Sequence, residues 1–128
     1  MKNYALLLLL ASAAGSAYAE PKYSSAFDLC MDKSNGTTVG MITCLGDETD
    51  RQDKKLNTNY KALKVTLNKK RQKQLLDVQR MWIKFRDANC DFYYDPEGGS
   101  MHRVMSNECY LRMTAERALE LEQLNMSY

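Results

Sequence analysis

The sequence predicts an all-α fold, a small disulfide-crosslinked antiparallel helical bundle of about four helices. Three observations carry this. Apolar residues recur at steps of three and four through most of the chain. No stretch alternates apolar and polar residues as a half-buried strand does. Four cysteines follow an export leader, and an even count in such a chain reads as two disulfides.

The leader comes first. Lys2 supplies a short basic start, Leu6 to Leu10 a compact apolar run, and Ala17-Tyr18-Ala19 a small-x-small cleavage signal. The expectation is a signal peptide over 1–19, cut after Ala19. The apolar run is too short for a membrane-spanning helix. A retained anchor is the alternative. No cysteine sits at the cleavage site, so no lipid anchor is expected. Residues 20–128 then form a single helical domain, with a core modest enough for crosslinks to matter.

Pro21 discourages helix in the lead segment. Phe27, Cys30 and Met31 share one face of a short first helix ending near Lys33. Ser34-Asn35-Gly36 reads as a turn, and Thr37 or Thr38 as the cap of a long second helix. Asn35-Gly36-Thr37 also fits a glycosylation acceptor, but the turn is the better reading. The stripe of the second helix is Met41, Cys44/Leu45, Thr49, Gln52, Leu56, Tyr60, Leu63 and Leu67, with Gly46 as a weak point. Asn68 to Arg71 is read as a tight turn, which makes the second and third helices antiparallel neighbours.

The third helix is expected from about Gln72 to Cys90. Its stripe is Leu75, Val78, Trp82 and Phe85, beside a row of Leu76, Ile83 and Cys90. Asp91 to Gly99 is the clearest loop, and Ser100 its following cap. The last helix carries Met105, Cys109, Met113, Arg117, Leu121 and Leu124. Glu108 and Arg112 are spaced for an i,i+4 ion pair.

Three cysteine pairings are open. Cys30–Cys44 with Cys90–Cys109 is favoured, because each bond closes a local loop between neighbouring segments. With no CxxC pair and one histidine, His102, a zinc site is a poor alternative, and no metal or cofactor is expected.

Charge is unevenly spread. From Asp50 to Cys90 there are twelve Lys/Arg against four Asp/Glu. From Asp91 to Tyr128 there are three against seven. The basic run from Lys54 to Lys73 raises polyanion binding, but such runs are usually solvated helix faces, and export argues against nucleic acid. Asp87, Asp91, Asp95 and Glu97 cluster near the loop, yet a small bundle offers little cleft for paired catalytic carboxylates. His102 has no nucleophile placed beside it by any motif. No enzyme is expected. Trp82 and Phe85 read as core. Arg86 and Arg117 lie near apolar rows and need partners such as Asp87, Glu116 or loop carbonyls, which makes them structural. The best recognition surface is the aromatic–acidic loop, with Tyr93, Tyr94, Asp95, Glu97 and Ser100 as candidate contacts.

These pieces together resemble the LprI-like lysozyme-inhibitor family, a bacterial secreted domain. The resemblance runs from Cys30 to Leu121. It rests on Cys30 and Cys44, then Leu56-Asn57-x-x-Tyr60, then Leu75/Leu76. Its most specific element is Gln79-Arg80-x-Trp82-Ile83-x-Phe85-Arg86-Asp87-x-x-Cys90. Gly99-Ser100, Cys109 and Thr114-x-x-Arg117-Ala118-x-x-Leu121 complete it. The resemblance implies an all-helical crosslinked fold and, with it, a periplasmic or secreted protein that binds and blocks a lysozyme. Founding inhibitors of the family include lipid-anchored proteins, whereas this chain lacks the anchoring cysteine. The alternative expectation is a periplasmic adaptor that binds anionic cell-wall glycan or a protein partner through its basic helical face.

Overall fold

The computed structural model describes residues 19–128, so the expected leader and its cleavage site fall almost wholly outside the described residues. Four helices follow: α1 Ser25–Ser34, α2 Thr38–Thr66, α3 Lys69–Tyr93 and α4 Ser100–Met126. The described residues contain no strand. Both favoured disulfides are present, with Cα atoms 5.6 Å apart at Cys30–Cys44 and 5.4 Å apart at Cys90–Cys109.

Local chemistry sets the helix ends. The Ser24 hydroxyl accepts from the Phe27 N–H and starts α1. Asn35 (φ 49°) and Gly36 (φ 71°) then turn the chain in the left-handed region. Thr37 caps α2 through the Gly40 N–H. The next turn is shorter than the sequence suggests, only Leu67 and Asn68. Asn68 is itself a cap, accepting from the Arg71 N–H, so Lys69 to Arg71 are helical. The Gln72 side chain donates back to the carbonyls of Lys64 and Leu67, tying off the last turn of α2.

The expected adjacency of α2 and α3 needs correction. The two helices meet little beyond their shared turn, and α4 packs between them. Leu45 of α2 meets Val104 and Leu111 of α4, while Leu56 and Leu63 meet Ala118 and Leu121. These pairings run in the same direction, so α2 and α4 are parallel. Leu75 meets Leu121, and Cys90 meets Cys109, so α3 is antiparallel to α4. The physical reason lies in α4. Ala115 and Ala118 are small and buried, Leu111 and Leu121 are fully buried, and α4 offers apolar surface to both neighbours.

Two stripes also shift. In α3 the packed positions are Leu75, Gln79, Trp82, Arg86 and Cys90, at steps of four, three, four and four. Val78 and Phe85 lie outside this seam and are exposed, so Phe85 is not core. In α2 Glu48, rather than Thr49, holds the buried position. Glu48 has no exposed surface, yet it is fully satisfied. It accepts from the Ser24 N–H (3.0 Å), the Ser24 hydroxyl (2.6 Å), Arg51 Nε (2.7 Å) and Gln52 Nε2 (2.8 Å). Burial alone would raise its pKa, but these hydrogen bonds outweigh burial and hold the carboxyl below its ordinary value. Glu48 thereby ties the start of α1 to α2.

Candidate functional site

The α3–α4 corner is built from a rigid base and an exposed tip. At the base, Cys90 and Cys109 are buried and bonded to each other, with Met113 against them. The Ser106 hydroxyl donates to the Cys90 carbonyl at 3.0 Å. Tyr110 donates to Asp91 Oδ1 at 3.0 Å. Burial first, and then Asp91 as acceptor and charge, push the Tyr110 hydroxyl up to about 12. The hydroxyl is therefore a neutral donor near neutral pH.

Trp82 and the two arginines brace this base. The Arg86 guanidinium stacks over Trp82 at 5.1 Å and over Tyr110 at 5.5 Å, and Arg117 lies 5.9 Å from the Trp82 ring. Arg86 is paired with Asp87 at 2.8 Å. Arg117 is buried; it donates to Gln79 Oε1 at 3.0 Å and to Glu120 at 2.7 Å. Glu116, an expected partner, pairs with Arg112 one turn along instead. That pair also replaces the expected Glu108–Arg112 bridge.

The tip starts later than the sequence suggests. Asp91, Phe92 and Tyr93 form the last turn of α3, and only 94–99 is loop. Asp95-Pro96-Glu97-Gly98 has a preferred β-turn composition. The Asp95 carboxylate accepts from the Glu97 N–H at 2.9 Å, and the Asp95 carbonyl from the Gly98 N–H at 3.0 Å. A Cβ at Gly98 would meet the His102 ring, so a larger residue there would have to displace that side chain. Gly99 (φ 77°) precedes α4 without a side-chain cap, so Ser100 is the first helical residue and not the cap. Its hydroxyl lies instead 3.4 Å from Thr38 Oγ1, at the start of α2.

The structure thus brings Tyr93, Tyr94, Asp95 and Glu97 together on one exposed tip, and turns Ser100 towards α2. A shallow recess of about 440 Å³ opens there, lined by Phe92, Tyr93, Tyr94, Asp95, His102 and Met105 among others. Phe92 is the most exposed of the large apolar residues among those described. Asp91, Asp95 and Glu97 take part in no ion pair among the described residues. Sequence reading missed Tyr110. Its one signal is the position next to Cys109, a single turn across from Asp91 once the disulfide is drawn.

Fold and corner define a disulfide-crosslinked helical module with an exposed aromatic–acidic tip. A family model described as lysozyme inhibitor LprI matches residues 30–121, and the chain belongs to that family. A curated relative, the uncharacterized protein R02472 of Rhizobium meliloti (strain 1021), is 26% identical over 94 residues, covering 73% of this chain. The chain spans 62% of that relative's length. No solved structure matches the chain. Among the described residues no helix is long and apolar enough to cross a membrane, and no cluster of three metal-ligating side chains occurs.

Proposed function

We propose that the protein is exported, is cleaved after Ala19, and acts through its 20–128 domain as a binding protein that blocks a lysozyme. Membership of the lysozyme-inhibitor family supports the activity class, and two disulfides fit an oxidising compartment. The observation that carries the contact assignment is the exposed tip at 94–99, held at its base by Cys90–Cys109. Aromatic side chains on a braced loop bury area at low entropic cost. Host lysozymes are typically cationic, and Asp95 and Glu97, in no ion pair among the described residues, complement them. In the cleft, Tyr93 and Tyr94 donate hydrogen bonds to the enzyme's paired carboxylates, and the tip excludes the glycan. Ser100 borders this contact rather than forming its centre.

The test is lysis of bacterial cell walls by c-type, g-type and i-type lysozymes, titrated with the oxidised 20–128 protein. Dose-dependent loss of activity with one class is expected. The double variant Tyr94→Ala/Asp95→Ala is expected to weaken inhibition by roughly thirtyfold, the size of a central anchor's loss, with the helical circular dichroism unchanged. Unchanged inhibition by this variant removes the loop from the contact. A protein that inhibits no class leaves the basic run on α2 and α3 as the binding face, since Lys54, Lys55, Lys61 and Lys64 are all exposed. Salt-sensitive retention on purified cell-wall glycan then becomes the expected behaviour.

A further inference from the structure

The outer face of α3 carries a second apolar seam that no other described residue covers. Val78, Met81, Phe85, Ala88 and Phe92 step by three, four, three and four residues, the spacing of a coiled-coil stripe. All five are exposed, with Met81 at 63%, Phe85 at 62% and Phe92 at 86% of their full surface. The packed seam of α3 is a different one, Leu75 to Cys90 through Gln79, Trp82 and Arg86. So α3 presents one stripe to α4 and a regular second stripe to solvent. Scattered exposed apolar residues are ordinary; five in heptad register on one helix are not.

We propose that this seam docks against the same seam of a second copy of the chain, antiparallel and about a two-fold axis. The pairing places Met81 against the partner's Phe92 and Phe85 against the partner's Ala88, a large residue on a small one. Charge selects this register. Lys84 and Asp91 flank the seam, each one residue before an aromatic member, and both are exposed. In this register Lys84 faces the partner's Asp91, and the two-fold axis repeats the pair. Sliding by one heptad keeps apolar layers in contact but sets Lys84 against the partner's Lys84 and Asp77 against the partner's Asp91. Lys84 has no ion-pair partner among the described residues. In a parallel pairing, Lys84 would face the partner's Asn89, with no charge to meet.

The area sets the strength. Met81, Phe85, Ala88 and Phe92 offer roughly 500 Å² per copy, or about 1,000 Å² in the pair, at the lower edge of specific interfaces. The dimer is therefore expected to form with a dissociation constant in the micromolar range. The inference stands independently of the lysozyme reading.

Sedimentation velocity of the oxidised 20–128 protein tests it, in low salt, from about 1 to 300 µM, the range in which an interface of this size associates. A concentration-dependent monomer–dimer equilibrium is expected. Phe85→Asp is expected to weaken it by about tenfold or more, one hot-spot residue's share. Phe85 is exposed, so circular dichroism and thiol counts should show an intact, crosslinked fold. Lys84→Glu alone is expected to weaken the dimer several-fold, and Lys84→Glu with Asp91→Lys to restore it. A protein that stays monomeric over the whole range overturns the inference, as does a dimer indifferent to Phe85→Asp. Failure of the double charge reversal to restore association overturns the antiparallel register. A monomer whose Phe85→Asp variant loses lysozyme inhibition would assign the seam to the enzyme and remove the second copy from it.

Discussion

The protein has two crosslinked corners, and they use the same device for different ends. Cys30–Cys44 spans 14 residues and Cys90–Cys109 spans 19. Each joins the end of one helix to the next across a turn. The first corner is closed. Its turn is Asn35 to Thr37, and α1 is further held by the buried Glu48 and by Phe27 against Leu45, Val104 and Leu111. The second corner is open at the tip. Its disulfide is buried beneath Tyr110 and Met113, while the residues from Phe92 to Glu97 stand out in solvent. One crosslink thus keeps a small helix on the bundle; the other holds a loop away from it. A crosslink by itself says nothing about presentation. What it pins, and how much apolar surface that element can bury alone, decides.

Breaking each crosslink in turn separates the two roles most strongly. In the loop-closure account each bond stabilises by about 3 kcal/mol, and lengths of 14 and 19 residues differ by only a few tenths. The consequences should nevertheless differ. Cys90→Ala/Cys109→Ala removes a fully buried pair from the core and is expected to cost about 3–5 kcal/mol globally, read as the urea midpoint. It should also release the tip and weaken lysozyme inhibition. Cys30→Ala/Cys44→Ala is expected to act locally. The α1 helix buries no residue fully, so amide exchange over 25–34 should approach that of an open segment while α2 to α4 stay protected. Equal exchange effects at both corners would mean that the two crosslinks play the same role.

Next in size is the fully buried carboxylate that clamps the closed corner, Glu48. Glu48→Gln leaves Ser24, Arg51 and Gln52 without their charged acceptor and is expected to cost about 2 kcal/mol. The pH dependence follows from the direction of the shift. The folded pKa of Glu48 lies below the ordinary 4.5, so the unfolded chain binds the proton more readily. The stabilisation is complete above the ordinary value and is lost as pH falls through the lower, folded one. Wild-type stability should therefore fall on acidification below about pH 4.5, and Glu48→Gln should flatten that slope. An unchanged acid slope in the variant would place the titration elsewhere.

Much of the closed corner was legible in the sequence. The turn at Asn35-Gly36, a cap at Thr37 or Thr38 and the local pairing of cysteines all rest on short-range chemistry; all are present, with Thr37 as the cap. Glu48 was not legible, because a buried acid needs Ser24 brought from 24 residues away, and the stripe pointed equally well to Thr49. The open corner was legible as composition and spacing, but not in its boundaries: α3 runs on to Tyr93 because tyrosine and phenylalanine are tolerated in a last turn. The α3 stripe failed for a different reason. Two apolar seams lie on one helix, Leu75–Trp82–Cys90 and Val78–Phe85–Phe92, and periodicity cannot say which faces the bundle. The polar members decide. Gln79 and Arg86 find partners on α4, in Arg117 and Thr114, and no local pattern encodes that.

The smallest effect is expected at neither crosslinked corner but near the remaining turn, between α2 and α3, which no disulfide holds. Tyr60 packs against the core of Leu56, Leu63, Leu75 and Leu121. Its hydroxyl is buried and has no hydrogen-bond partner among the described residues. A buried hydroxyl without a partner costs desolvation energy that nothing offsets, whereas the ring contributes apolar contact. Tyr60→Phe keeps the ring and removes the cost. It is expected to raise stability by about 1 kcal/mol, which a thermal or urea midpoint resolves in a domain of this size. Because neither crosslinked corner is touched, exchange over 25–34 and inhibition should both stay at wild-type values. A loss of stability would mean that the hydroxyl has a partner in solution, such as an ordered water, and that this uncrosslinked turn is held by polar bonding after all.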